Sequence, residues 1–370
     1  MTPAAPTSPA RKARPTRLGQ IVFTVHQWLG LAAGLVLVVV ALSGAILTFA
    51  PEIRVWAYHQ TVVPEEREFA EVTAFRDTLS REFPAGDFRT ITFRGRARAV
   101  EVLLFAPGTF YLAQLNPYSA ELIHLQNMGT GFIQRVLGLH RNLLLKNPGR
   151  QVVHWATLIF GGLVLSGIAL RSGRQRWRGL AGWHVLVGYY GSVLAIGSIV
   201  TGLYWGFGGV NDGVKWVTGE AEQRYDEPKS VVALPALGGR GPAWPLMQNL
   251  ATAFRQDWPD RWIRVSLPHR PEEPIRVAVI SPQHTEGGVD VHYFDRYTGV
   301  RLEGKFERAM AAELSLFQQV NLWVYRIHFG EWGGYAGRLL TGLSSLAVTT
   351  LPITGFWLFA RRWWRRKRIG

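Results

Sequence analysis

Five histidines stand out by position: His26, His184, His140, His328 and His154. Each lies in or beside a long apolar run, where an ionisable side chain is costly and a functional or pairing role is the default expectation. Four of them come in matched settings. His26 is followed at +4 by Gly30 and at +17 and +18 by Ser43-Gly44; His184 is followed at the same offsets by Gly188 and Thr201-Gly202. His140 is followed at +9 and +10 by Gly149-Arg150 and at +26 and +27 by Ser166-Gly167. His328 repeats this with Gly337-Arg338 and Thr354-Gly355. Two independent pairs of matched offsets indicate an internal duplication. Two imidazoles from two helices suit the axial positions of a haem, which needs neutral nitrogens on opposite faces and an apolar slot. His26 with His184 and His140 with His328 would make two such sites at two depths. Zinc usually wants three or four ligands, often with Cys or carboxylate among them. A proton relay would be expected to place Asp or Glu in the apolar runs, which contain neither. A histidine near a membrane interface that only bonds a carbonyl or headgroup is the competing explanation.

Other residues around these histidines have two explanations each. Gly30 and Gly188 lie one turn beyond theirs, where a missing side chain leaves room for a porphyrin edge; close helix packing asks for the same residues. Arg150 and Arg338 suit haem propionates, because guanidinium matches carboxylate geometry; a basic residue at the headgroup boundary is the alternative. His154 has no counterpart, since position 342 is Gly. It follows His140 by 14 residues, with Asn147-Pro148-Gly149 expected to interrupt the helix between them. It is a spare ligand or a neighbour of the site.

The elements that must hold these groups read as membrane spans. Of the 370 residues 48% are hydrophobic, and the runs at 21–50, 150–170, 182–207 and 335–360 suit a hydrocarbon core that needs about 20 helical residues. Trp28, Trp155, Trp183, Trp205 and Trp357 suit interfacial belts. The formal charge of +15 is concentrated in residues 11–17, 171–178 and 361–368, which hold 14 basic residues and no acid. The remaining 27 basic and 26 acidic residues nearly balance, which argues against a nucleic-acid-binding face. By the positive-inside tendency, the tail 1–20, the loop 171–181 and the tail 361–370 are expected in the cytoplasm. Segments 51–149 and 208–334 are then expected outside, which in a bacterium means the periplasm or cell surface, and the chain reads as a multi-pass membrane protein. The first run is longer than a signal-peptide h-region and reads as an uncleaved anchor. The chain has no cysteine, so disulfides, thiolate catalysis, iron–sulfur clusters and c-type haem attachment are excluded.

Each outside segment reads as one helix followed by three or four short strands, and ends in a juxtamembrane helix. Asn116–Ala120 and Asp295–Gly299 are matching turns. The expected fold is therefore an α-helical membrane protein with four transmembrane helices in two tandem pseudo-symmetric halves, plus two external α+β modules. A pseudo-two-fold axis along the membrane normal would relate the halves, and a monomer is expected because the duplication supplies both.

The stretches "RLGQIVFTVHQWLGLAAGLVLVVVALSGAIL", "GLHRNLLLKNPGR", "GWHVLVGYYGSVLAIGSIVTGLYW" and "NLWVYRIHFGEWGGYAGRLLTGL" with "LPITGFWLF" resemble the PepSY-associated transmembrane family, especially bacterial inner-membrane ferrisiderophore reductases. The resemblance implies PepSY-like external modules, two b-type haems and reduction of a ferric siderophore or other ferric chelate outside the membrane. No GxGxxG opens a helix, so the expected electron donor is a quinol or a separate cytoplasmic reductase. Arg135, Arg141 and Arg326 are candidates for docking an anionic chelate. Two other classes compete with this reading: a haem-free binding or sensing protein, and a transporter built on parallel repeats. The latter is weakened by the absence of mid-membrane charge and broken helices.

Overall fold

A computed structural model describes residues 16–58, 60–106, 108–170, 179–220, 228–230, 243–281, 284–303 and 315–368. Most of the basic loop 171–181 and residues 1–15 of the first tail lie outside these, so their expected placement rests on sequence. Four helical stretches are long and apolar enough to cross a membrane: Arg17–Thr48, Lys146–Ala169, Gly179–Gly206 and Glu331–Lys367.

Helix α1 (Arg17–Thr48) starts where the Thr16 hydroxyl accepts a hydrogen bond from the Gly19 N–H at 3.2 Å. Proline at its first turn then opens the short α2 (Ala50–Ala57). After α3 (Val72–Glu82) and four strands come the juxtamembrane α4 (Phe132–Asn142) and the second span, α5 (Lys146–Ala169). The third span is α6 (Gly179–Leu186), a π-helical turn Val187–Gly191 and α7 (Ser192–Gly206), followed by α8 (Gly208–Thr218). After α9 (Ala243–Asp257) and four more strands, α10 (Leu316–Phe329) is opened by a reciprocal capping box between Ser315 and Gln318. The last span, α11 (Gly334–Lys367), continues as helix into the terminal basic cluster and carries Pro352 inside it.

The break between α4 and α5 is not where the proline suggested. Asn147-Pro148-Gly149 forms the first turn of α5, where a missing N–H is tolerated. The chain turns at Leu143–Leu145 instead, with Leu143, Leu144 and Lys146 all at positive φ. Gly149 explains why the turn is so tight. A side chain there would run into the carbonyl of Asn142, so only glycine lets α5 pass so close to the end of α4. Gly337 meets the Gly330 carbonyl in the same way, between α10 and α11.

The strands correct the expectation of two separate modules. Strands β1 (Asp87–Phe93), β2 (Val100–Ala106), β3 (Thr109–Leu115) and β4 (Leu122–Asn127) belong to the first segment. Strands β5 (Trp262–Ser266), β6 (Ile275–Ser281), β7 (His284–Phe294) and β8 (Arg301–Leu302) belong to the second. All eight form one antiparallel sheet in the order β4-β3-β2-β1-β5-β6-β7-β8. The join is β1 to β5, with Thr90 opposite Ser266 and Phe93 opposite Ile263. Each four-stranded unit alone would leave β1 or β5 as an edge with unpaired backbone groups, and pairing these two edges satisfies both.

One face of the sheet is apolar. Ile91, Val102, Leu104, Ile263, Val265 and Val277 pack under Phe75 and Leu79 of α3 and Met247 of α9, all essentially inaccessible. The opposite face carries buried polar groups: Thr92, Glu101 and Gln114. There Arg94 pairs with Glu101 at 2.6 Å, Gln60 donates to Glu101 at 3.0 Å, and the Trp262 ring lies 4.5 Å from the guanidinium carbon. Burial lowers the Arg94 pKa from its ordinary value, and the Glu101 carboxylate opposes that shift.

Candidate functional site

The four spans and the juxtamembrane helices enclose two cavities, one at each end of the bundle. The cavity far from the sheet, of about 360 Å³, is lined by His26 of α1 and His184 of α6. The cavity beside the sheet, of about 630 Å³, is lined by His140 of α4, His328 of α10 and His154 of α5. Both volumes lie in the range of small-molecule and cofactor sites. Leu37, Phe160 and Val348 line both, so one layer of apolar side chains separates them. Among the described residues, no lining residue of either cavity is acidic.

Each of the four matched histidines is held by a different helix through its Nδ1. His26 Nδ1 lies 2.8 Å from the Ser166 hydroxyl of α5, and His184 Nδ1 lies 2.7 Å from the Thr354 hydroxyl of α11. His328 Nδ1 lies 2.8 Å from the Thr201 hydroxyl of α7. His140 Nδ1 lies 2.9 Å from the Val40 carbonyl, with the Ser43 hydroxyl at 3.4 Å.

The direction of these bonds follows from proton counting. A hydroxyl has one proton, and each of these hydroxyls spends it within its own helix. Ser166 donates to the Gly162 carbonyl at 2.7 Å, Thr354 to Thr350 at 2.8 Å, Thr201 to Gly197 at 2.7 Å and Ser43 to Val39 at 2.6 Å. The oxygen can then only accept, and the Val40 carbonyl can only accept. The imidazoles therefore donate from Nδ1–H, and Nε2 carries the lone pair. A second partner that fixes the tautomer and frees the other nitrogen is how histidine is prepared as a metal ligand.

The glycine after each hydroxyl has a role of its own. A Cβ at Gly167 would lie 3.5 Å from His26 Cε1, and one at Gly355 would lie 3.5 Å from His184 Cε1. At Gly44 it would lie 3.0 Å from His140 Cε1, and at Gly202 3.9 Å from His328 Cε1. The imidazoles thus rest against helix backbone. Ser43-Gly44, Ser166-Gly167, Thr201-Gly202 and Thr354-Gly355 look in sequence like mere markers of the repeat. In the fold each is the seat of a histidine from another helix. Fixed spacing was the only signal that could have found them.

Gly30 and Gly188 both line the cavity far from the sheet. The nearest atoms to a Cβ built on them are Leu163 Cδ2 at 3.9 Å and Leu351 Cδ2 at 3.8 Å. These are ordinary van der Waals distances, so neither glycine is required by a tight helix contact, and both stay compatible with a clearing role at the cavity wall.

In the cavity beside the sheet, the rings of His140 and His328 have centroids 6.0 Å apart with planes at 69°. A metal ion held by two imidazole nitrogens at roughly 2 Å each sets ring centres about 6 Å apart. The described residues contain no group of three or more His, Cys, Asp or Glu that could hold a metal. A histidine pair without further donors suits a metal that brings its own equatorial ligands, and haem does so.

The two candidate propionate partners are placed differently. Arg150 lines the cavity beside the sheet, together with Arg141. Arg338 does not; its guanidinium makes a two-pronged pair with Glu52, at 2.5 and 3.2 Å. That carboxylate, from the first turn of α2, was invisible to a comparison of the repeats. His154 is half-buried against the backbone of Gly206 and 5.8 Å from the Phe207 ring, and it lines the same cavity as Arg150. Among the described residues, no histidine pairs with it as His140 pairs with His328.

Among the described residues, four apolar helices, a sheet-bearing segment between the first and second and between the third and fourth, and part-buried histidine pairs at two cavities define a membrane protein. The chain belongs to the family described as the PepSY-associated TM region, which matches residues 23–362. No curated protein matches the chain.

Proposed function

We propose that this protein is a di-haem b reductase of the bacterial inner membrane, which carries electrons across the bilayer to a ferric chelate, such as a ferrisiderophore, on the sheet side. The observation that carries this is the shared preparation of four histidines, each with Nδ1–H donated and Nε2 left free, in pairs at two apolar cavities. Haem bound at these sites would supply one-electron chemistry. The chain's own part is to hold the ligands, exclude water and set the spacing. His26 and His184 serve the cytoplasmic-side site, and His140 and His328 the periplasmic-side site. Along α1 the seat for His140 lies 17 residues beyond His26, or roughly 26 Å of helix, so the two sites divide the membrane between them.

The orientation rests on the basic cluster at the end of α11 and on the two basic stretches near residues 11–17 and 171–178. Arg141 and Arg150 make the sheet-side cavity positive, which suits an anionic iron chelate. Reduction to Fe(II) weakens the grip of hard oxygen ligands and releases the metal. Electrons come from a quinol or a cytoplasmic reductase.

Expression with haem supplied, purification, and pyridine haemochrome quantification test the proposal. Two b haems per chain are expected, both reducible and both reoxidised by a ferric chelate. A colourless protein under these conditions refutes it.

A further inference from the structure

The cavity far from the sheet has one charged side chain among its described lining residues, Arg362. The rest of the wall is apolar apart from His26, His184, Gln27 and Tyr189. Arg362 follows Gly355, on which His184 rests, by seven residues. On a helix that places both on one stripe, with the arginine about 10 Å nearer the end of the bundle. Its guanidinium is not loose, because it lies 4.8 Å from the centroid of the Phe23 ring of α1, which also lines the cavity. The other cations of this helix end do not line the cavity, and Lys367 lies over Trp363 at 4.1 Å.

A ligand that coordinates both histidines through a central metal and carries anionic groups at its rim would present those groups towards the mouth. Among the described residues, an otherwise apolar pocket offers them one charged partner. We propose that Arg362 is the anion-binding residue of this cavity and pairs with the carboxylates of a haem held by His26 and His184. The guanidinium presents a planar fork that matches a carboxylate, and its seat on Phe23 reduces the freedom lost on pairing. The inference rests on the haem reading of the cavity. A lipid phosphate is the other anion of similar chemistry at this depth.

The test uses full-length protein in neutral detergent, free of anionic lipid, in a His140→Ala background so that the haem of interest is observed alone. Haem loss to excess apomyoglobin and the midpoint potential are measured for Arg362→Gln, Arg362→Lys and the adjacent Arg361→Gln. Losing one charge-assisted contact should speed haem loss roughly ten-fold and lower the midpoint potential, because the carboxylate charge is less compensated. Arg362→Lys should fall between Gln and the parent, and Arg361→Gln should match the parent. Haem loss and potential unchanged in Arg362→Gln would overturn the assignment while leaving the haem reading intact. An effect that appears only after anionic phospholipid is added would assign Arg362 to a headgroup and overturn it as well. If Arg362→Gln cannot be purified with haem, Arg362→Lys decides: retention close to the parent supports charge pairing, and equal loss rejects it. Absence of haem from the unmodified protein would instead refute the proposed function itself.

Discussion

Thr354 is the sharpest point at which to test the site. Its hydroxyl accepts from His184 Nδ1 at 2.7 Å and donates within its own helix to Thr350, and the residue is 6% exposed. Thr354→Val keeps the shape and removes the acceptor. The Nδ1–H of His184 then loses its partner in a buried setting, which costs about 1–3 kcal/mol. Among the described residues the Leu351 carbonyl alone is then left to hold the tautomer, and loss of an orienting partner typically weakens metal binding about 10–100-fold. The two figures agree, since a ten-fold change corresponds to about 1.4 kcal/mol. The assay is haem transfer from the purified variant to apomyoglobin, followed optically, with the sheet-side haem as internal reference. Thr354→Ser restores an acceptor and should recover most of the affinity. Thr349→Val is the control, because that hydroxyl bonds only within α11, to Ser345 at 2.9 Å, and no histidine depends on it. Unchanged haem retention in Thr354→Val, or equal loss in Thr349→Val, would show that the hydroxyl does not prepare the ligand.

Other consequences are as direct. His184→Ala should remove one haem and leave one, by haemochrome count; loss of both or of neither would break the assigned pairing. Gly337→Ala drives a methyl into the Gly330 carbonyl and should displace α10 from α11. The His328 haem should be lost while the His26 and His184 haem stays, and normal occupancy of both would refute the close-approach account. Glu101→Ala leaves Arg94 buried without its carboxylate, so the sheet should lose about 3–5 kcal/mol. Chemical unfolding followed by tryptophan fluorescence, with Trp262 beside the pair, reads this; a change below about 1 kcal/mol would show that the pair matters little.

The sequence by itself determined the spans, the strands and the grouping of the histidines. Length and apolarity fixed four spans, because a hydrocarbon core accepts little else. Period-2 runs located the strands, and Asn116 and Asp295 located their turns, which the structure shows closed by each side chain accepting from the N–H groups two and three residues on. Matched offsets grouped His26 with His184 and His140 with His328, and the fold brings each pair to one cavity.

Other features were not legible because they depend on which elements meet. The sheet edges of two distant segments pair at β1 and β5, a choice no local pattern specifies. The short helices α2 and α8 follow the first and third spans, where the sequence pattern marks no separate helix. Glu52 of α2 then claims Arg338, so the two arginines at matched offsets end in different environments.

The hydroxyl partners show the division most clearly. Sequence spacing preserves Ser166 and Thr354, but each serves a histidine 140 or 170 residues before it, on another helix. Sequence sets a residue's place along its own helix and hence its depth in the bundle. Which imidazole it faces at that depth is decided by helix packing, which only the tertiary structure supplies.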